Sequence, residues 1–302
     1  MAKPTAPARA AALAVAGGML VWMLAPAAGT GRETASRPAA SAPAAEALAA
    51  ACRASADKLL ARTDKTFHAV VRPPFVVVGN LPPAELRRMA AGSVVRPAEA
   101  MWRSYFKARP DKVITALVLK DDKTYRHWAK RLFGDTDLPH FGYCRTWDRT
   151  MVMNIGTGTG TFVHELTHAL IVYDFPDVPT WFNEGLASLH EQCIVRDDRI
   201  VGCVNWRLPA LQRAIRAKKL RPLAELATAG DFYTNQAGLN YAQARYFVMH
   251  MQQKQLLRKF YAAYRARRGR RPVKTIEEVF GKPLKRVEGE FTAWVMTLKW
   301  GR

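Results

Sequence analysis

Cysteine is scarce in this chain, and it never occurs as C-x-x-C. The four cysteines stand at 52, 144, 193 and 203. Without a C-x-x-C pair, a thiolate-ligated structural zinc site is disfavoured. An even number of cysteines does suit an oxidising compartment. Acidic residues are also few: 25 Asp and Glu against 46 Lys and Arg give a formal net charge of +21. Such an excess attracts anionic partners, although a solvated basic face is the plainer alternative. No nucleic-acid-binding motif accompanies the charge, so nucleic acid is not an expected partner. No internal repeat is visible, and after the first residues no segment is long and apolar enough to span a bilayer.

The N-terminus supplies the one apolar run of note. Lys3 and Arg9 form a basic start, Ala11 to Leu24 an apolar stretch, and Ala25-Pro26-Ala27 an A-x-A site. This pattern predicts a signal peptide over 1–28 and an exported protein, periplasmic or extracellular. An uncleaved N-terminal membrane anchor is the alternative. Residues 29–47, rich in Ala, Pro and Ser, read as a disordered linker. The expected folded domain is then 48–302.

The segment His164-Glu165-Leu166-Thr167-His168 carries the chemistry. It reads H-E-x-x-H within an apolar run. On a helix, residues four apart share a face, so both imidazoles can grip one metal ion. Glu165 is then placed to reach a metal-bound water. A buried, hydrogen-bonded His pair is the alternative reading. An open catalytic zinc site needs a third ligand. Asp174 lies six residues after His168, but a ligand there requires a glycine at 171, where the chain has Ile171. Asp174 is expected instead to cap or solvate the loop 174–179. Two prolines in that loop stop the first helix. A second helix over Thr180–Leu189, with Thr180 as its cap, would bring Glu184 back to the histidines. A surface Glu favoured by the helix dipole is the alternative.

These motifs resemble the gluzincin branch of the zincin metallopeptidases, to which thermolysin and certain aminopeptidases belong. Their H-E-x-x-H is followed on the next helix by an N-E pair, here Asn183-Glu184. The spacing is shorter than in those enzymes. It is similar to that of the small bacterial peptidase MA-like proteins, as are the Gly/Thr-rich approach at 156–161 and the Trp181-Phe182-Asn183-Glu184-Gly185-Leu186-Ala187 block. The resemblance is specific over about 141–205. It implies one Zn2+ per chain on His164, His168 and Glu184, and hydrolysis of a peptide or protein substrate by water that Glu165 activates. It further implies a downstream Tyr or His that stabilises the oxyanion. Tyr241 is the expected donor, whereas Tyr246 reads as core. In thermolysin-like enzymes a carboxylate four residues after the third ligand orients a zinc-bound His. Here Ser188 stands there, which leaves Asp177 or a backbone carbonyl as that partner.

By the same resemblance a sheet-edge strand above the active-site helix would receive substrate, and Thr150–Ile155 is the natural candidate. It contains no acidic residue to hold a free amino terminus, which favours an endopeptidase over an aminopeptidase. Downstream, Cys193–Arg196 and Ile200–Cys203 flank Asp197-Asp198-Arg199. A hairpin with that three-residue loop would pair Cys193 with Cys203 in a disulfide.

Elsewhere, β-branched runs predict strands at 75–79 and 113–119, and a hairpin at 143–147 and 150–155. Helices are expected at about 82–106, bent at Pro97, and at 124–133. From Pro209 onward the pattern is helical. The expected fold class is α+β, zincin-like, with a mixed β-sheet N-terminal lobe to about 173, a helical C-terminal lobe from about 180, and the zinc site between them. The favoured function is an exported zinc metalloendopeptidase. The alternatives are a non-catalytic basic protein that binds an anionic envelope polymer or lipid surface, and an amidase acting on peptidoglycan stem peptides.

Overall fold

A computed structural model describes residues 42–145 and 147–301. The expected signal peptide and residues 29–41 of the expected linker lie outside the described residues. The rest of that linker is not disordered: helix α1 spans Ala42–Leu60. Cys52, Ala56 and Leu59 recur at helical spacing and are its buried stripe.

The fold is α+β. Strands β1 (His68–Arg72), β2 (Phe75–Gly79), β3 (Ile114–Leu119), β4 (Gly142–Arg145) and β5 (Thr150–Asn154) form a mixed sheet in the order β1-β2-β3-β5-β4. The central pairs β2–β3 and β3–β5 are parallel, and the outer pairs are antiparallel. All residues of β2, β3 and β5 are buried. A strand covered on both faces reads as a continuous β-branched or apolar run, which is why β2 and β3 were legible. On one face Val76, Val78, Leu117, Leu119 and Val152 pack against α1 and against Tyr125 and Trp128 of α4 (Asp122–Phe133). On the other, Phe75, Val77, Ala116, Val118, Met151 and Met153 join the main core.

The expected helix at 82–106 comprises α2 (Pro83–Met89), a π-helical stretch Ala90–Val95, and α3 (Arg96–Ser104). Pro97 has no N–H to donate backward, and the wider π stretch immediately before it accommodates the missing bond. The strand expected at the sheet edge, β5, is instead internal. It bonds to β3 on one side and β4 on the other, so β4 is the edge. A sequence run cannot reveal which member of a hairpin faces outward.

After the sheet come α5 (Gly160–Asp174) and α6 (Thr180–His190). Thr180 is the first residue of α6, and Pro179 occupies the cap position without a side-chain bond. From Trp181 to His190 every residue of α6 is buried. It packs against α9 (Ala237–Gln253), buried from Asn240 to Met251. The remaining helices are α7 (Leu208–Arg216), α8 (Leu223–Leu226), α10 (Leu257–Ala266), α11 (Pro272–Phe280) and α12 (Leu284–Thr297). No helix among the described residues is long and apolar enough to cross a membrane.

The cysteine hairpin forms, as β6 (Cys193–Arg196) and β7 (Arg199–Gly202), but in a different register. Asp197 (φ 49) and Asp198 (φ 58) both adopt left-handed backbone, making a two-residue turn. Arg196 therefore pairs with Arg199, and Cys193 pairs with Gly202 rather than Cys203. One residue of slip turns the Cys203 side chain to the other face. All four cysteines are free, so the expected 193–203 disulfide is corrected.

Candidate metal centre

His164 and His168 lie one turn apart on α5, and their Nε2 atoms approach to 3.0 Å. Glu184, on α6, directs Oε2 at both, 3.4 Å from His164 Nε2 and 3.5 Å from His168 Nε2. These three side chains are a metal-competent cluster among the described residues. Bonds of about 2.0–2.1 Å to a tetrahedral ion would place donor atoms about 3.3–3.4 Å apart. The observed triangle fits that spacing. Glu184 is only 1% exposed, and its Oε2 has no hydrogen-bond donor among the described residues. A buried carboxylate oxygen without a donor is costly unless a cation completes it. The donor set, two imidazoles and one carboxylate, suits zinc.

Each ligand is held from behind. His168 Nδ1 is 2.9 Å from Asn183 Oδ1, so the ring donates there and leaves Nε2 for the centre. His164 Nδ1 faces Glu191 Oε1 at 3.3 Å. Glu191, just past the end of α6, is clamped by Arg207 Nε at 2.9 Å and Nη2 at 2.8 Å. Glu184 Oε1 accepts from the Tyr233 hydroxyl at 2.8 Å. Asn183, Glu191, Arg207 and Tyr233 were all missed as site residues. Asn183 and Glu184 sit side by side in sequence, so the N-E pair carried part of the signal. Glu191, two helical turns after Glu184, carried a spacing signal as well, whereas Arg207 and Tyr233 needed the fold. Asp177 is not the orienting partner: it pairs with Arg268 at 2.8 Å on the surface. Ser188 is buried, and its hydroxyl makes no hydrogen bond among the described residues.

Burial alone would lower the His164 pKa, but the carboxylates of Glu184 and Glu191 outweigh it and hold it up at about 10. Burial would raise Glu184 and Glu191. The imidazoles instead hold Glu184 well below the usual carboxylate range, and His164 with Arg207 holds Glu191 down at about 2. Glu165 behaves oppositely. It is 3% exposed, its Oε2 lacks a partner, and burial pushes its carboxyl above the ordinary value. A carboxyl raised in this way is better matched to a general base than an exposed one.

The cluster lies in a cleft of about 1300 Å³. Its walls include Phe141 and Gly142 at the start of edge strand β4, the 157–161 stretch that leads into α5, Trp206, Arg207, Tyr233, Leu239 and Tyr241. Tyr241 is thus brought to the site, with its hydroxyl making no hydrogen bond among the described residues; the Arg207 guanidinium lies 5.2 Å from its ring centre. Tyr246 is fully buried and bonded to the Asn205 backbone, so its reading as core holds. Asp174 is not in the cleft lining and is not solvated. It accepts from Lys107 N, Ala108 N, Tyr261 Oη and Arg265 Nη1, tying the end of α5 to the helices behind it.

His190 forms a second buried unit in the cleft wall. The Thr167 hydroxyl donates to Val163 O at 2.7 Å, so it accepts from His190 Nδ1 at 2.8 Å. His190 Nε2 is then left to accept from Tyr105. Burial lowers the His190 pKa to about 3, and the ring is neutral at ordinary pH.

Compared with known protein families and with curated proteins, the sequence finds no match.

Proposed function

We propose that this chain is an exported, zinc-dependent metallopeptidase of the gluzincin type on a zincin-like fold, acting as an endopeptidase. One observation carries the reading. His164, His168 and Glu184 converge to metal-bonding distances beside a buried carboxylate without a partner, Glu165, in a wide cleft. A buried His pair kept only for packing would have no need of Glu184 Oε2 left without a donor.

Zinc on these three residues would supply Lewis acidity toward a peptide carbonyl and activate water. Glu165 takes the proton from the attacking water and delivers it to the departing amine nitrogen. The Tyr241 hydroxyl donates to the carbonyl oxygen as negative charge develops there. Tyr233 has a different task, because its hydroxyl is already given to Glu184. The free edge of β4 lets an extended substrate add as a further strand beside the cleft. The N-terminal segment read as a signal peptide supports export.

The test combines metal analysis with cleavage of a diverse peptide library by the purified chain and by Glu165→Gln. Zinc in both proteins at one per chain, with cleavage by the wild type alone, is the expected result. Cleavage that persists in Glu165→Gln, or zinc bound in neither, would overturn the proposal.

A further inference from the structure

We propose that the C-terminal end of α7 and the end of α12 form a docking surface for an anionic lipid bilayer. This inference is independent of the metal centre. From Leu208 to Pro222 the chain has no carboxylate. Arg213, Arg216, Lys218 and Lys219 are all exposed, and none is ion-paired among the described residues. Neighbouring cations differ: Arg207 is committed to Glu191 and Arg221 to Asp231. After α7, Lys218 takes φ 53, and the amides of Lys218 and Lys219 return to Ile215 O and Ala214 O. That stop leaves both lysines directed outward.

The second half of the surface is apolar. Gln212 Nε2 donates to Val295 O and Leu298 O, each at 3.0 Å, which ties α7 to the last turn of α12. Arg216 follows Gln212 by four residues, on the same side of α7. At this end of α12, Met296 is 37% and Trp300 51% exposed. Lys299 lies exposed between them, and residues 291–301 contain no Asp or Glu. The patch is therefore several unpaired cations around two large side chains that water solvates poorly.

Two simpler accounts fall short. The dipole of α7 favours cations at its C-terminal end, but says nothing about an exposed Trp and Met on a neighbouring helix. A soluble anionic polymer would pair with the cations, yet offers no apolar phase for those side chains. A bilayer surface offers both: phosphates for the cations, and an interface at which Trp is preferred.

The test is sedimentation of the full chain with vesicles of phosphatidylglycerol and phosphatidylcholine, and with phosphatidylcholine alone. Two variants accompany it, Trp300→Ala and the fourfold replacement of Arg213, Arg216, Lys218 and Lys219 by Glu. The N-terminal apolar run is common to all three proteins, so differences between them report on the patch. Wild-type binding should require phosphatidylglycerol and weaken at high salt. The fourfold variant should lose the lipid-charge dependence. Trp300→Ala, with no cation removed and melting unchanged, should bind several-fold more weakly, and this variant decides the matter if the fourfold one does not fold. Equal partition of wild type and Trp300→Ala, or equal binding of both to soluble polyphosphate with no preference for vesicles, would overturn the proposal. Glu165→Gln should partition as the wild type does, so failure of the peptidase reading leaves this result intact.

Discussion

Glu191 Oε1 stands 3.3 Å from His164 Nδ1, seven residues after Glu184, where the sequence position four residues on is Ser188. Seven residues is two turns of helix, so Glu184 and Glu191 rise from one side of the same rod. One carboxylate faces the histidine pair from the centre, and the other stands against the outer nitrogen of His164.

Glu191→Gln should lower metal affinity by about 10–100-fold, as expected when a partner that orients a ligand histidine is lost. Arg207→Gln should have a smaller effect in the same direction, because it releases Glu191 without removing it. Competition with a chromophoric chelator measures both. Unchanged affinity in Glu191→Gln would show that the 3.3 Å approach has no role in holding His164.

Metal affinity should rise with pH. A ligand imidazole must be neutral, and in the metal-free protein the His164 pKa is about 10. Binding below that pH displaces a proton, so affinity should gain up to about tenfold per unit and level off near pH 10. The stability of the metal-free protein runs the other way. The His164 pKa is raised from 6.5 to about 10, so its contribution is fully present below 6.5 and is lost as pH rises through 10. Glu191, lowered from 4.5 to about 2, contributes above 4.5 and ceases to do so as pH falls through 2. Chelator competition across pH 6–10 and denaturant melts across pH 2–10 follow both trends.

The two cleft tyrosines should separate kinetically. Tyr241→Phe removes the proposed carbonyl donor, and kcat should fall by about 10²–10³-fold with metal affinity unchanged. Tyr233→Phe removes the donor to Glu184 Oε1, so its main effect should be on metal affinity. The opposite pattern would exchange their roles.

Gly160 opens α5 against the end of α6. A Cβ there would lie 2.5 Å from Glu191 O, which is backbone and cannot swing aside. Gly160→Ala should therefore cost about 1–3 kcal/mol of stability and weaken metal binding by shifting His164 from Glu191. A melt and a chelator titration together test this, and a variant as stable and as tight as the wild type would refute it.

The local parts of the site were legible, and the distant parts were not. His164, Glu165 and His168 follow from helix periodicity within five residues, and Glu184 from a proline-broken loop that returns the chain. Glu191 lies two helical turns after Glu184, a spacing that the sequence carries, whereas Arg207 reaches it only because the chain returns after β7, and no spacing rule encodes that. The hairpin register failed on a turn choice: two aspartates tolerate left-handed backbone, and a two-residue turn resulted where three residues were expected. Helix α1 was hidden by alanine-rich composition, although the spacing of Cys52, Ala56 and Leu59 was available as a signal. Edge and interior strands were confused because β5 takes its second lateral partner, β3, from a segment far away in sequence.

On the proposed peptidase reading, the cleft divides reactivity from selectivity along the chain. The candidate metal ligands and Glu165 come from two adjacent helices, whereas Phe141, Trp206 and Leu239 in the walls come from separate loops and helix starts scattered over a hundred residues. Substitutions in those walls leave α5 and α6 untouched. Under the proposed activity, a lineage carrying this scaffold can therefore exchange one diet of substrates for another by ordinary drift in its walls, while the chemistry stays inherited.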